Sequence, residues 1–325
     1  MRNYKSIISA GKKLVKVGII GMPNSGKSTL INDLSQRRSC PTSSKVHTTR
    51  AQSMAIFTEG DTQVVFIDTP GLVNQKEQKK FNLEKTFIRD PKNALKEADV
   101  IGVVHDTSNV YGREKLDIKI VNLLEHHRDS PSFLVLNKID LLKSKRKLLD
   151  IARILTESSI DGSPVPRQGV NEECKHQEYK GWPHFKEVFM ISALYGDGVE
   201  DLRSHIVRQA KPAEWMFPEE IWTDQRAEDI ITSSVQAKLL DFLPQEIPYK
   251  LRPELEYFDI NSSTGVMTTC VTVKSPSKRI SSLVAGTADG RLKQIVQSVQ
   301  DDLQNTFHNF VRVKIVLDPS PSDSL

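Results

Sequence analysis

Cysteine is scarce in this chain of 325 residues, and long apolar runs are missing. Its three cysteines, Cys40, Cys174 and Cys270, are odd in number and widely spaced. This excludes a disulfide framework and a four-cysteine metal site, and it favours a reducing compartment. No apolar stretch approaches the roughly 18 residues of a membrane-spanning helix, and no apolar core of a secretory signal is present. Hydrophobic residues at 38% and charged residues at 26% instead fit a soluble protein of about two globular domains.

Acidic residues are nearly absent from the first 50 positions, which carry 10 Lys and Arg against one acid; the remaining residues carry 35 against 40. The bulk charge therefore does not indicate a nucleic-acid-binding protein. The opening stretch MRNYKSIISAGKKLVK contains serine and no acid, a pattern typical of mitochondrial transit peptides. We expect residues 1–14 to be a basic leader that directs the protein to the mitochondrial matrix. A basic leader without a targeting role, in a cytoplasmic protein, is the alternative.

Short β-branched runs alternate with segments of helical period over the first 211 residues. The predicted strands are 15–21, 53–58, 64–68, 100–106, 133–137 and 188–192, and the predicted helices are 27–34, 114–126 and 145–157. This alternation predicts an α/β domain, a mostly parallel sheet with helices on both faces. The second and third strands are too close for a crossover helix and should form an antiparallel hairpin at the sheet edge. Residues 158–185 lack a period and are predicted to be an exposed insertion.

The order of elements changes after Pro212, which cannot continue the preceding helix. We predict a helix over 223–242, strands over 255–258 and 266–274, helices over 279–284 and 291–307, and a strand over 311–317. The order α-β-β-α-α-β predicts a smaller α+β domain. The expected organisation is therefore a leader over 1–14, an α/β domain over 15–211 and an α+β domain over 213–325.

A glycine-containing turn follows the first predicted strand directly. Residues 21–28 match G-x-x-x-x-G-K-[ST], a pattern in which backbone N–H groups and the N-terminus of the next helix surround phosphates. In this pattern Lys27 reaches the β- and γ-phosphates, and the hydroxyl of Ser28 is a ligand of Mg²⁺. The predicted phosphate loop and first helical turn comprise Gly21, Met22, Pro23, Asn24, Ser25, Gly26, Lys27, Ser28 and Thr29.

Three further motifs stand at the carboxyl ends of later predicted strands. In the D-x-x-G motif after residues 64–67, the carboxylate would hold Mg²⁺ and the glycine N–H would touch the γ-phosphate. In the N-K-x-D motif after 133–136, the carboxylate would accept two N–H bonds from guanine, which adenine does not offer. A Ser-Ala-Leu segment after 188–191 offers a backbone N–H to the guanine carbonyl. Together they predict one nucleotide-binding crevice. The residues concerned are Asp68, Thr69, Pro70, Gly71, Leu72, Asn137, Lys138, Asp140, Ser192, Ala193 and Leu194.

The four motifs in this order resemble those of the TRAFAC-class GTPases, and their flanks resemble the Era family of ribosome-assembly GTPases. The similar segments are 48–50, TEGDTQVVFIDTPGL and 217–249. The likeness extends from residue 15 to 317 apart from the insertion, and with the basic leader the chain is most similar to the mitochondrial Era-like GTPases of animals. The resemblance implies hydrolysis of GTP to GDP and phosphate, and a C-terminal type II KH domain. It also implies small-subunit ribosomal RNA, near its 3′ end, as the partner in assembly of the small ribosomal subunit.

The resemblance also implies roles for individual residues. The implied catalytic residues are Lys27, Thr49 and Gly71. The implied Mg²⁺ ligands are Ser28, Thr49 and Asp68. Thr48 is the alternative to Thr49 for the switch-I hydroxyl, and Asn24 resembles the asparagine with which related GTPases hold K⁺ beside the phosphates. Leu72 stands where other GTPases have a glutamine that orients the attacking water, so we expect slow hydrolysis without a partner.

The implied KH domain should carry a G-x-x-G turn between two helices, where the backbone approaches RNA phosphates. Aligning the apolar helix positions puts residues 286–289, Gly-Thr-Ala-Asp, at this turn, so that Asp289 adds a negative charge where phosphate should pass. Residues 213–325 carry 11 basic and 16 acidic residues, yet 274–293 carry five basic residues and only that one acid. The expected RNA contacts are Lys278, Arg279, Gly286, Arg291 and Lys293.

Three functions are open at this point. The main hypothesis is a GTP-hydrolysing, RNA-binding assembly factor. A P-loop enzyme that phosphorylates a small molecule with ATP is disfavoured by Asn137 and Asp140 of the N-K-x-D motif. A GTP-binding scaffold with an inactive KH domain, which docks on protein partners, is the third. We expect a monomer without a transmembrane segment, and peripheral membrane association is left open.

Overall fold

The structure is a computed structural model that describes residues 11–37, 53–68, 95–161, 163–164, 181–244 and 247–319. Contacts divide the chain into two compact units, the second of which contains Gln225 and all later residues. Most of the predicted leader and much of the predicted insertion lie outside the described residues. Within the described ranges, no helix combines the length and the apolar character needed to cross a membrane.

The first unit is built on a sheet whose strands are short and mostly parallel. The strands of this unit are β1 (Lys13–Ile20), β2 (Ser53–Glu59), β3 (Thr62–Asp68), β4 (Val100–Asp106), β5 (Ser132–Asn137), β6 (Ser159–Ile160), β7 (Ser163–Pro164), β8 (Phe185–Met190) and β9 (Lys211–Pro212). The sheet has the order β2-β3-β1-β4-β5-β8, with β9 paired to β1, whereas β6 and β7 form a separate ladder. Strands β3, β1, β4, β5 and β8 are parallel. β2 and β3 form the antiparallel edge hairpin, which confirms that prediction.

Helices cover both faces of this sheet, because its central strands are apolar on both sides. The helices are α1 (Lys27–Ser35), α2 (Ile118–His126), α3 (Arg146–Leu155) and α4 (Val199–Arg208). Leu134 of β5 belongs to a buried cluster with Leu124 of α2 and Ile151 of α3. Its neighbour Phe133 points to the other face, where its ring centroid lies 5.7 Å from that of His205 on α4. The predicted fold class is confirmed.

Three element bounds differ from the predicted ones, each for a local reason. α2 begins at Ile118 rather than at residue 114, because the Asp117 side chain accepts a hydrogen bond from the Lys119 N–H and caps the helix. α3 ends at Leu155 because Glu157 and Ser158 adopt left-handed conformations, with φ of 51° and 58°. β8 ends at Met190, before the chain turns to pair Ser192 with Asp197.

The segment after β9 continues along the β2–β3 hairpin, so the first unit extends beyond the boundary expected at residues 211–213. The buried side chain of Gln63 accepts hydrogen bonds from the N–H groups of Met216 and Phe217 and donates to the Phe217 carbonyl. Thr223 forms a bridge with Ala55 of β2. These bonds hold residues 214–224 against the hairpin. The helix predicted from residue 223 begins only at Ala227.

The second unit has the predicted element order α-β-β-α-α-β. Its elements are α5 (Ala227–Phe242), β10 (Arg252–Ile260), β11 (Met267–Lys274), α6 (Lys278–Ala285), α7 (Gly290–Phe307) and β12 (Val311–Asp318). β11 lies at the centre of the three-stranded sheet, antiparallel to β10 and parallel to β12. Val271 and Val299 are fully buried, and Lys238 of α5 pairs with Asp302 of α7 at 2.6 Å. This arrangement is consistent with a type II KH domain.

Candidate nucleotide site and KH turn

The predicted phosphate loop connects β1 to α1, and two of its glycines have no room for a side chain. A Cβ on Gly21 would lie 2.4 Å from the Val104 carbonyl oxygen, and one on Gly26 would lie 2.2 Å from the Asn137 Nδ2. Gly26 also has a φ of +94°, which side-chain-bearing residues rarely adopt. The loop is therefore packed closely between the ends of β4 and β5, and the two glycines of the motif make that packing possible.

Lys27 lies across the loop. Its ammonium group donates hydrogen bonds to the carbonyl oxygens of Gly21 and Met22 at 3.0 and 3.1 Å, and the side chain is 7% exposed. The hydroxyl of Ser25 is buried and has no hydrogen-bond partner among the described residues. A buried cation beside an unsatisfied hydroxyl and the N-terminus of α1 is an arrangement suited to an anionic ligand.

Asn137 links the phosphate loop to the other loops of the predicted crevice. Its side chain is 2% exposed. Its amide donates to the Ser25 carbonyl oxygen at 2.8 Å. Its side-chain oxygen accepts from the N–H groups of Lys138 and Ala193 at 2.8 and 3.0 Å. All three side-chain contacts go to the protein backbone, so the geometry makes Asn137 a positioning residue for two loops.

Asp140 is the exposed acid of the N-K-x-D motif, and a buried hydroxyl orients it. Ser192 donates to one oxygen of its carboxylate at 2.5 Å. The other oxygen makes no hydrogen bond to the part of the chain that the structure describes. Ser192 itself is fully buried, and its N–H donates to the Asp197 carbonyl. The structure thus brings the N-K-x-D loop and the Ser-Ala-Leu loop together.

Two residues at the end of β4 contribute to the site and were missed in the sequence. Lys138 pairs with Asp106 at 2.7 Å. Burial raises the pKa of the Asp106 carboxyl, but hydrogen bonds from Lys138 and Ser108 outweigh it and hold that pKa below its ordinary value. Thr107 is fully buried and donates twice to the Asn137 carbonyl oxygen, through its N–H and its hydroxyl. Their position after a buried parallel strand is a signal that could have revealed them.

The remaining predicted nucleotide residues lie mostly outside the described residues. These are Thr48, Thr49, Thr69, Pro70, Gly71 and Leu72. The backbone of Asp68 ends β3, in register with Ile19 of β1, which brings it to the same sheet edge as Ser28. A hydroxyl and a carboxylate are oxygen ligands of the kind that Mg²⁺ prefers. Mg²⁺ in nucleotide sites is usually bound by one or two protein oxygens together with phosphates and water.

The KH turn between α6 and α7 has one position that requires glycine. Gly286 ends α6 with a φ of 73°, and a Cβ there would meet the Arg291 Cβ at 2.9 Å. Ala288 and Asp289 are also left-handed, with φ of 51° and 58°. Gly290 has a helical φ of −62° and begins α7. Glycine would adopt the left-handed conformation of Asp289 without strain, and the alignment of Asp289 with the second glycine of G-x-x-G stays a prediction.

The predicted RNA contacts lie around this turn but differ in how they are held. Lys278, Arg279 and Lys293 are exposed. Arg291 folds back, and its guanidinium donates to the Leu283 carbonyl oxygen near the end of α6 at 2.6 Å. The turn is thus held by an arginine that the sequence pattern assigned to RNA.

The sheet order, the phosphate loop and the N-K-x-D loop define a P-loop GTPase domain, which an α+β unit of the KH kind follows. Residues 16–138 match the family described as 50S ribosome-binding GTPase. The mitochondrial GTPase Era of Danio rerio is 36% identical over 334 residues, which cover 93% of this chain and 74% of that protein. The chain therefore belongs to the Era family of GTPases, enzymes that hydrolyse GTP, and this confirms the predicted family and activity.

Two solved structures share the whole fold. Era from Aquifex aeolicus bound to GDP·AlF4− superposes with a TM-score of 0.75 at 22% identity, over 95% of both chains. Era in complex with MgGDPNP and nucleotides 1506–1542 of 16S ribosomal RNA superposes with a TM-score of 0.76 at 23% identity, over 96% of this chain and 95% of that one. The likeness covers both units, so the pairing of a GTPase domain with a KH domain is confirmed at the level of the fold.

Proposed function

We propose that this GTPase binds GTP and GDP with Mg²⁺ in the crevice at the carboxyl ends of β1, β3, β5 and β8. Lys27 and the loop N–H groups bind the β- and γ-phosphates, and the carboxylate of Asp140 accepts two N–H bonds from guanine. Ser28, Asp68 and Thr49 hold Mg²⁺, which neutralises phosphate charge when bound, and Asn24 holds K⁺. The related Era structure with MgGDPNP supports the divalent ion. The binding of K⁺ is proposed only because residue 24 is an asparagine.

The observation that carries the nucleotide assignment is the contact set of Asn137. One buried amide joins the phosphate loop to the Ser192–Leu194 loop, so the phosphate and base ends of the crevice are positioned together. Asp140 is then oriented by Ser192. A crevice that only bound phosphate would need no such oriented carboxylate at its other end. Competition of GDP, ADP and XDP for a fluorescent GDP tests this, and displacement by ADP at equal concentration would contradict it.

We further propose that the second unit binds small-subunit ribosomal RNA and that the protein assists assembly of the mitochondrial small subunit. The supporting facts are the KH turn, the basic residues beside it, and the RNA fragment in the related Era structure. The relative from Danio rerio is named as a mitochondrial protein, and residues 1–14 are basic. Crosslinking of the protein to RNA in cells should give reads near the 3′ end of the mitochondrial small-subunit RNA. A reporter fused to residues 1–16 should enter mitochondria.

A GTP-binding scaffold with an inactive KH domain is the second candidate, and two observations favour it. Arg291 is tied to the Leu283 carbonyl, and Asp289 places a carboxylate in the turn. Asp289 lowers the net positive charge of the turn, and the bond to Leu283 leaves fewer Arg291 N–H groups free for phosphate. Crosslinking that yields no ribosomal RNA, with protein partners recovered at equal abundance with and without nuclease, would favour the scaffold.

A further inference from the structure

A carboxylate at the end of β4 and a lysine after the end of β5 form an ion pair across the carboxyl edge of the sheet. Asp106 is the last residue of β4 and lies in register with Asn137, the last residue of β5. Lys138 follows directly, and its ammonium donates to the Asp106 Oδ2 at 2.7 Å. The methylene stem of Lys138 therefore crosses from one strand end to the next, at the edge where the predicted nucleotide crevice lies.

The Asp106 carboxylate is fixed from its other side by its own loop. Its second oxygen, Oδ1, accepts from the N–H and the hydroxyl of Ser108 at 2.8 and 2.6 Å. The side chains of Lys138 and Asp106 are 29% and 23% exposed, whereas those of the pair Arg226 and Asp229 are 75% and 52% exposed. Exposed ion pairs contribute little to stability because water screens them. The Lys138–Asp106 pair is less solvated and has one fixed partner, so it can hold the lysine in one place.

The side chain of Lys138 is thus held at both ends. Its backbone is left-handed, with a φ of 64° and a ψ of 36°, and its N–H donates to the Asn137 Oδ1 at 2.8 Å. Asp106 holds the ammonium at the far end. A mobile lysine samples many rotamers, and the loss of that freedom on ligand binding weakens the binding. Because both of its ends are already fixed, Lys138 avoids most of this loss when it packs against a ligand.

Lys138 lies among the groups that are predicted to contact guanine. Asn137, which precedes it, accepts from the Ala193 N–H at 3.0 Å. Asp140, two residues after it, accepts from the Ser192 hydroxyl. A purine ring has flat faces, and the methylene stem of a lysine offers an apolar surface that packs on such a face while its charged end stays solvated or paired.

We propose that Asp106 is a positioning residue for the guanine nucleotide and that it acts through Lys138, an inference that rests on the function proposed for this crevice. The ion pair holds the stem of Lys138 where one face of the base packs, before the nucleotide arrives. Binding then does not have to order a mobile lysine. Asp106 itself makes no contact with the nucleotide.

An Asp106→Asn variant breaks the ion pair alone. The amide oxygen still accepts from Ser108, whereas the amide nitrogen cannot accept from an ammonium. Competition with a fluorescent GDP, on the full chain with Mg²⁺, measures the affinity. GDP should bind roughly fivefold more weakly, which is the cost of ordering one lysine side chain. Inosine diphosphate lacks the 2-amino group that Asp140 is expected to bind but presents the same ring face, so its affinity should fall by the same factor.

Lys138→Met separates positioning from a structural role, because it keeps an apolar stem and removes the ammonium. Adding Asp106→Asn to this variant should not change GDP affinity further, since the ion pair is already absent. Asp117→Ala is the matched control. Asp117 lies at the end of the same loop and caps α2, so its removal destabilises this segment but should leave GDP affinity unchanged. In GTP hydrolysis, Asp106→Asn should raise KM and leave kcat unchanged, because the contact with the base is the same in the ground state and the transition state.

Four results would each overturn the positioning role of Asp106. They are wild-type GDP affinity in Asp106→Asn, a loss for GDP that inosine diphosphate does not share, an equal loss from Asp106→Asn with and without Lys138→Met, and an equal loss in Asp117→Ala. Each would leave the proposed function intact, provided that the wild-type protein prefers GDP to ADP. A wild-type protein that binds ADP as tightly as GDP would overturn both.

Discussion

The nucleotide crevice and the KH turn are built in opposite ways. In the crevice, buried polar groups are tied to one another across four loops, and the side chains of Asn137 and Ser192 are 2% and 0% exposed. In the KH turn, the basic residues Lys278, Arg279 and Lys293 are exposed. Only Gly286 and Arg291 are held by their surroundings. Ligand binding in the nucleotide crevice therefore depends on the fixed positions of buried groups, whereas RNA binding at the KH turn would depend mainly on exposed charge.

This difference sets the size of the effects that single substitutions should have. A buried hydrogen-bonded group leaves its partners unsatisfied when it is removed, which costs about 1–3 kcal/mol per group. An exposed charge contributes through a screened interaction that neighbouring charges share. We therefore expect large losses from single changes in the crevice and graded, salt-dependent losses at the KH turn.

The largest effect is expected for Lys27→Ala. It removes the cation that the loop holds over the predicted phosphate position, and preorganised charge of this kind is worth roughly 10²–10³-fold in phosphoryl-transfer rate. Single-turnover phosphate release with saturating Mg²⁺·GTP measures it. Lys147→Ala, which removes an exposed lysine from α3, serves as the control. A Lys27→Ala enzyme with more than a tenth of the wild-type rate would contradict the assigned role.

Asp140→Asn should come next, with a loss of GTP affinity of about 10²-fold. The amide presents an N–H where the carboxylate accepts from guanine, and the altered edge of xanthine matches that donor. GTP and XTP affinities of the variant measure the switch. Ser192→Ala is the companion change, because it removes the hydroxyl that orients the carboxylate and should weaken GTP binding without admitting XTP. Unchanged GTP affinity in Asp140→Asn would exclude guanine recognition at this residue.

Asn137→Ala should destabilise the first unit as well as weaken nucleotide binding. It leaves the Ser25 carbonyl and the Ala193 N–H without their partners, which should lower the free energy of unfolding by about 3 kcal/mol. Urea unfolding of the nucleotide-free protein measures this loss. Asn109→Ala changes an exposed asparagine in the same unit and is the control. If unfolding is unchanged while GTP affinity falls, Asn137 contacts the nucleotide directly and the positioning role is wrong.

The same contrast explains what the sequence could and could not predict. The order of strands and helices followed from periodicity, because both faces of β4 and β5 are apolar. The phosphate loop followed from its two glycines, since close packing leaves no alternative at Gly21 and Gly26. Asp106 and Thr107 were missed because their partners, Lys138 and Asn137, are about 30 residues away in sequence. Only the pairing of β4 with β5 brings them together.

At the KH turn, the sequence predicted the position of the turn but not the use of its arginine. Arg291 was expected to face RNA, and local spacing does not show that its guanidinium reaches back to the Leu283 carbonyl. The domain boundary expected at residues 211–213 depended on Pro212. A proline ends the helix that precedes it, but it does not prevent the chain from running on along the hairpin as far as Asp224.

A double substitution, Lys278→Glu with Lys293→Glu, tests whether exposed positive charge at the KH turn binds RNA. Both lysines are exposed, so the fold should be retained while two phosphate contacts are lost. The log–log slope of RNA affinity against salt should become shallower by about 1.4, at roughly 0.7 per phosphate on a single strand. Lys250→Glu with Lys314→Glu, elsewhere in the same unit, is the control. Equal slopes for wild type and the double variant would remove these lysines from the RNA-binding surface.

The smallest change in RNA affinity is expected for substitutions of Asp289. Its charge and its backbone conformation can be tested separately. Asp289→Gly removes a charge and frees a left-handed position with a φ of 58°, whereas Asp289→Asn removes the charge and keeps a residue that tolerates this conformation. Ala288→Gly frees the neighbouring left-handed position, with a φ of 51°, and leaves the charge in place. If repulsion of phosphate by Asp289 limits binding, both Asp289 variants should tighten RNA binding by a few fold at low salt, and Ala288→Gly should not. Tightening in the two glycine variants alone would instead assign the effect to the backbone of the turn. If all three variants leave RNA binding at the wild-type level, Asp289 does not lie on the path of the phosphates, and the alignment of the turn with G-x-x-G is wrong.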